Sequence, residues 1–164
     1  MKQSDFYKVG AEKRQDQVIK IGVKNYLLIF GYGIDEDGNG YNMRKNYDHK
    51  PTKTELKEDI TQLIDGTTDS NILQGFRWNE VNVYLSTENQ MNYKAAYDLA
   101  VQTSGATLPV KFKLGEDGSG NAVYHTFEDL AEFTDFYTKA IAYVSDCLNE
   151  GWEEKDSIDY DSLL

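Results

Sequence analysis

FRWNEVNVYLSTENQMNYKAAYDLAV, residues Phe76 to Val101, decides the fold class. Phe76 and Trp78 alternate, Asn79-Glu80 offers a tight turn, and Val81, Val83 and Leu85 alternate on the return, the period-two pattern of a β-hairpin. The hairpin leads straight into a helix. Thr87 and Gln90 stand at capping-box spacing, and Met91, Ala95 and Leu99 with Tyr93, Ala96, Tyr97 and Ala100 give a broad apolar face. Ser104-Gly105 stops that helix.

The same order of elements recurs on either side. Downstream, Leu108 to Leu114 alternates, with Val110, Phe112 and Leu114 on one side and Lys111 and Lys113 on the other, and a turn-rich Glu116–Asn121 leads to a short partner, Ala122–His125. Thr126 and Asp129 then open a long helix whose apolar positions Leu130, Phe133, Tyr137, Ala140, Ile141, Val144 and Leu148 keep 3-and-4 spacing until Glu150-Gly151. Upstream, Gln17–Val23 and Tyr26–Phe30 read as a hairpin turned at Lys24-Asn25. Residues 31–48, dense in Gly, Asn and Asp, read as a long loop, of the kind that is functional or docked on a partner. Thr52 and Glu55 cap a helix with Leu56, Ile60, Leu63 and Ile64 on one face, ended by Asp65-Gly66, and Thr67–Gln74 reads as a polar connection.

Half-polar alternating strands call for antiparallel pairing with helices on one face. The expected fold is therefore a single α+β domain over residues 17–151, with antiparallel hairpins and about three amphipathic helices packed on the sheet. Residues 1–16 read as a flexible or docking arm, or a short helix, and 152–164 as an acidic tail.

Composition narrows the function classes. The 164-residue chain carries 17 basic and 28 acidic side chains, a formal net charge of −11, and shows no basic cluster, so nucleic acid is not an expected partner. No apolar run reaches the ~20 residues of a membrane span and the N-terminus has no apolar leader, so the expectation is a protein made in a cytoplasm, away from membranes. The lone Cys147 lies beside the apolar stripe of the last helix, a position for a small buried hydrophobe. His49 and His125 lack neighbours at ligand spacing, and His125 reads as a structural hydrogen-bonder. No nucleophile–base pair is selected, which gives the expectation of no catalytic residues and no cofactor.

Asp35-Glu-Asp37-Gly-Asn39-Gly40 matches the opening of an EF-hand calcium loop, but Asn46 stands where the bidentate Glu is required. Two readings stay open: a turn built from residues that favour turns, or a weak calcium site on Asp35, Asp37 and Asn39. Tyr41, Arg44 and Tyr47 in the loop, with Trp152 and Tyr160 in the tail, are residue types enriched where partners bind, and form the expected contact surface.

Taken together, YLSTENQMNYKAAYDLA, LPVKFKLGEDG, VYHTFEDLAEFTDFYTKA and LNEGWEEKDSI resemble a domain that recurs in tail-associated virion proteins of bacteriophages of gut Bacteroidales, including crAss-like phages. The likeness runs from Phe76 to Ile158 on residues such as Trp78, Tyr97, Pro109, Phe112, His125, Phe127, Tyr137 and Trp152. It implies a non-enzymatic structural or adaptor protein of the virion, in a tail, ring or collar, contacting other virion proteins and copies of itself. The alternative is a host-surface or fibre-adaptor binding module, assisted by calcium.

Overall fold

The most apolar run of the chain nucleates the first sheet. Leu27, Leu28, Ile29 and Phe30 are all buried within strand β3 (Tyr26–Ile34), which lies between β2 (Gln17–Lys20) and β4 (Gly40–Tyr47), with β1 (Tyr7–Gly10) on the far side of β4. In this computed structural model, which describes residues 5–164, the four strands form one antiparallel sheet in the order β1-β4-β3-β2. Two expectations fail here. Residues 31–48 are the ends of two paired strands joined by a tight turn, because β3 runs on to Ile34 and β4 begins at Gly40. The register shifts between Phe30 and Gly33, around Gly31 at φ 71°, and such a bulge breaks the period-two signature by which a strand is recognised. The expected loose arm is also incorrect over Tyr7–Gly10, which pair with Tyr41–Arg44; a short, polar edge strand carries no apolar alternation to reveal it. Residues 1–4 of that arm lie outside the described residues.

Contacts sort the chain into two compact units, one reaching to Asp65 and including Glu154–Leu164, the other Gly66–Glu153. In the first, helix α1 (Lys53–Gln74) lays Leu56, Ile60 and Ile64 against Leu28, Phe30 and Tyr47. The short helix α4 (Tyr160–Leu163) adds Leu163, 6% exposed. The expected acidic tail is thus folded. Asp159 caps α4 by accepting from the Asp161 and Ser162 amides, while Ile158 and Tyr160 pack on the same core. Apolar residues spaced through 158–163 do the burying there, and the acidic residues between them face water.

The second unit holds the hairpin of β5 (Phe76–Trp78) and β6 (Val81–Val83), helix α2 (Thr87–Gln102), the hairpin of β7 (Val110–Glu116) and β8 (Ala122–Phe127), and most of α3 (Leu130–Asp156). Asn79 and Glu80 both take positive φ, 47° and 64°, which suits the right-handed twist of the strands they join. The two hairpins meet where the Tyr84 amide donates to the Leu114 carbonyl at 2.7 Å, and a Cβ on Gly115 would collide with the Asn82 carbonyl oxygen. Between the hairpins and the helices sits an aromatic core: Phe127 stacks on Phe133 with centroids 4.7 Å apart, and Trp78 and Tyr93 each meet Phe136 edge-on at 5.2 and 5.1 Å. Two of the expected caps move. Ser86, one residue before the expected Thr87, accepts from the Asn89 amide, and Thr126, expected to open the last helix, lies inside β8, so that Asp129 caps α3 by accepting from the Glu132 amide.

Two helix ends differ from expectation: α1 continues through Gly66 to Gln74, and α3 through Gly151 to Asp156. An interior glycine weakens a helix by only ~1 kcal/mol, so packing overrides it. At Gly151 there is a positive reason for glycine, since a Cβ would lie 2.5 Å from Thr68 Oγ1 on α1. The fold class is α+β with antiparallel pairing throughout.

Candidate functional site

The densest network of titratable side chains lies where β4 hands over to α1. Tyr47 closes the strand, Pro51 is buried, and Thr52 caps the helix. Its amide and hydroxyl donate to Glu55 Oε2 at 2.8 and 3.0 Å while the Glu55 amide donates back to Thr52 Oγ1 at 3.2 Å, the reciprocal capping box that the spacing predicts. A capping Glu reaches back past the helix start, and here it meets His49. The imidazole Nε2 lies 2.8 Å from Glu55 Oε1 and Nδ1 lies 2.7 Å from Asp48 Oδ1. Ionised carboxylates only accept hydrogen bonds, so this arrangement suits a His49 ring protonated at both nitrogens.

The electrostatics follow from those bonds. The Asp48 contact, then the Glu55 contact, raises the His49 pKa above its ordinary value, and the His49 bond lowers that of Asp48. The Thr52 amide, and after it His49, pushes Glu55 down to about 2. Deeper in, Tyr47 donates to Asp59 Oδ2 at 2.6 Å and Lys45 to Asp59 Oδ1 at 2.8 Å. Burial first, and the Asp59 bond second, push the Tyr47 hydroxyl up. These groups line an open groove of about 760 Å³. Each named donor meets an acceptor within the network. What the arrangement does chemically is tie the last residues of β4 to the first turn of α1 through charge-assisted bonds. Sequence reading missed it, although the signal was present: a capping-box Glu directs its carboxylate toward the residues preceding the cap.

The calcium-like run has a different explanation. Asp35 Oδ1 accepts from the Asp37 and Asn39 amides at 3.0 and 2.8 Å, the Asp35 amide donates to the Asn39 carbonyl at 2.9 Å, and the Gly38 amide donates to the Asp35 carbonyl at 3.0 Å, with Gly38 at φ 82°. The β7–β8 turn repeats this bond for bond. Asp117 Oδ1 accepts from the Ser119 and Asn121 amides, both at 2.9 Å, and Gly120 takes φ 79°. The shared pattern is Asp-x-x-Gly-Asn, and each residue type is accounted for by closing a hairpin. Among the described residues no group of three or more His, Cys, Asp or Glu side chains is placed to hold a metal ion.

The side chains expected to contact partners are dispersed. Tyr47 is buried in the first core and Tyr160 packs half-buried against it. Tyr41 is half-buried with Lys8 Nζ 4.3 Å from its ring centroid, and Arg44 donates to Asn42 Oδ1 at 3.0 Å. Alternation along β4 puts Arg44 on the face opposite Tyr47. Trp152, in the second unit, is 53% exposed. His125 bonds Glu132 and packs edge-on against Trp78 at 5.0 Å, while Trp78 Nε1 donates to Asp135 at 3.0 Å, so both rings pin a hairpin to α3. Cys147 is buried. The surface that sequence reading missed is on α2. Tyr93 and Ala100 are buried, but Met91 and Leu99 are 66% and 50% exposed and Ala95 is exposed between them. The expected single broad apolar face is in fact two faces, one packed inward and one facing water.

A family profile described as a domain of unknown function, DUF4376, matches residues 54–163, well over half of the chain. The chain belongs to this family. The DUF4376 segment spans α1 to α4 and leaves the four-stranded sheet outside it. No curated protein and no solved structure gives a significant match. No helix among the described residues is long and apolar enough to cross a membrane.

Proposed function

We propose that this DUF4376 protein is a non-enzymatic structural or adaptor component of a bacteriophage virion, built into a tail, ring or collar in multiple copies. It works by contact with other virion proteins and with copies of itself, after synthesis in the host cytoplasm, and needs no cofactor, nucleic acid or membrane. The observation that carries this reading is the outer face of α2, where Met91, Ala95 and Leu99 stand one turn apart and face water. An apolar stripe in helical register is the form a protein contact takes, whereas single exposed hydrophobes are ordinary. The internally paired His49 network and the resemblance over Phe76–Ile158 support the same reading. Mass spectrometry of purified particles tests it: the protein should be present at a fixed copy number, and particles that lack it overturn the proposal.

A host-surface binding module is the second reading, favoured by Tyr32 and Ile34, exposed beside the Asp35–Gly40 turn. Calcium on Asp35, Asp37 and Asn39 would assist it. A calcium titration whose response disappears in Asp37→Ala supports that site, and indifference to calcium removes it.

A further inference from the structure

We infer that Asn39 is a self-modification site, at which the Gly40 amide nitrogen attacks the Asn39 side chain and converts it to aspartate or isoaspartate. The inference stands apart from the virion reading. Asn39 is exposed, and among the asparagines of the chain it alone is followed by glycine. The chemistry needs only water. Gly40 N bonds to Asn39 Cγ, the Cγ–Nδ2 bond breaks, and Nδ2 leaves as ammonia with the proton of the Gly40 amide. Water then opens the cyclic imide at either carbonyl. Glycine favours the attack because no Cβ hinders rotation of its peptide into place.

Two demands of the fold force this pair of residues together. The Asp-x-x-Gly-Asn turn sets an asparagine at 39 as it does at 121, and a Cβ on Gly40 would collide with the Ala11 carbonyl oxygen and the Tyr32 hydroxyl. The nucleophile is also left out of the β3 ladder. The Asp35 amide takes the Asn39 carbonyl, so antiparallel alternation makes the next pair, Ile34 with Gly40, a non-hydrogen-bonded one. The Gly40 carbonyl accordingly points away from β3 and accepts from the Ala11 amide at 2.9 Å. The β7–β8 turn is the built-in contrast. Asn121 is followed by Ala122 and its Nδ2 donates to Asp117 Oδ2 at 3.3 Å, whereas the turn holds Asn39 through its main chain. Isoaspartate lengthens the main chain by one carbon between β3 and β4. Gly40 then shifts against Ala11, where there is no slack, and the bond from the Ala11 amide is lost.

Ageing the purified full chain at mildly alkaline pH tests the site, read by mass spectrometry with fragmentation that separates isoaspartate from aspartate. Asn39 should convert, adding one negative charge to the formal −11, while Asn121 stays intact over the same interval. In the isoaspartate form the Ala11 amide should exchange about tenfold faster, the effect of one lost hydrogen bond. Asn39→Asp, which carries the charge on an ordinary backbone, should leave that amide protected. An Asn39 that converts only in the denatured chain, or an Asn121 that converts as fast, overturns the site. An Ala11 amide equally protected in the isoaspartate form, or equally exposed in Asn39→Asp, overturns the structural consequence.

Discussion

Replacing Gly151 by alanine sets two known effects of opposite sign against each other at one atom. Within a helix, Gly→Ala ordinarily stabilises by about 1 kcal/mol. At Gly151 the added Cβ would lie 2.5 Å from Thr68 Oγ1, closer than real Cβ contacts come, but 3.6 and 3.7 Å from Thr68 Cβ and Cγ2, which is ordinary contact. One hydroxyl is therefore the whole obstacle. Thr is stiff at χ1 and cannot yield freely, and overpacking of this kind costs about 1–3 kcal/mol. The net expectation is that Gly151→Ala destabilises by about 1 kcal/mol, overpacking outweighing propensity. In a Thr68→Ala background the obstacle is gone, and Gly151→Ala should stabilise by about 1 kcal/mol, a coupling of about 2 kcal/mol between the sites. Gly66→Ala provides the internal control, because a Cβ there meets nothing within 4 Å and should gain the full propensity term of about 1 kcal/mol. Urea denaturation followed by far-UV circular dichroism measures all four variants, with unchanged m required for the comparison. If Gly151→Ala stabilises as much as Gly66→Ala, or acts alike in both Thr68 backgrounds, the close approach of α1 and α3 at this point is refuted.

Further predictions follow from other local chemistry. The raised His49 pKa means its bonds stabilise fully below the ordinary value of 6.5 and are lost as pH rises through the raised one. Glu55, held to about 2, contributes above its ordinary 4.5 and loses its contribution as pH falls toward 2. The pair should be strongest between those ordinary values, and an NMR titration of His49 with a midpoint at or below 6.5 would show that the network does not persist in solution. Thr52→Ala removes the α1 cap and should cost about 1 kcal/mol in chemical denaturation. Asp35→Ala and Asp117→Ala each delete an acceptor of two backbone amides and should raise amide exchange in their own turns to similar extents; a much larger effect at Asp35 alone would point to a role beyond the turn. Cys147 should react with a thiol reagent slowly in the native protein and at once in denaturant, since its side chain is buried.

What the sequence made legible was whatever short-range chemistry dictates. The Phe76–Val83 hairpin, the β7–β8 hairpin and the capping box of Thr52 with Glu55 all stand where spacing puts them. Apart from the bulge at Gly31, which hides the β3–β4 pairing locally, the errors share a cause: the deciding partner is distant in sequence. Local preference makes Gly66 and Gly151 helix ends, yet the glycine that ends a helix here is Gly105, at φ 87° with its amide bonded to the Ala100 carbonyl. Nothing local separates Gly105 from Gly151, whose smallness is demanded by Thr68 on another helix. Strand β1 exists because β4 offers it an edge. The candidate site was half legible: Glu55 was placed correctly, but His49 gains meaning only once the turn through Pro51 brings it back over the helix start.

The family segment begins at residue 54, after the last strand of the four-stranded sheet. Yet Leu56, Ile60, Ile64 and Leu163, which belong to the segment, find their apolar cover on Leu28, Phe30 and Tyr47, which do not. Lys53, just outside the segment, reaches Asp161 inside it at 2.9 Å. Cut at residue 54, the remainder would carry a bare greasy face along the start of α1, and it should aggregate where the whole chain stays dispersed. The limit of sequence similarity is thus not a limit of folding. Here the two ends of the shared segment are held by a clasp that only the flanking sequence encodes.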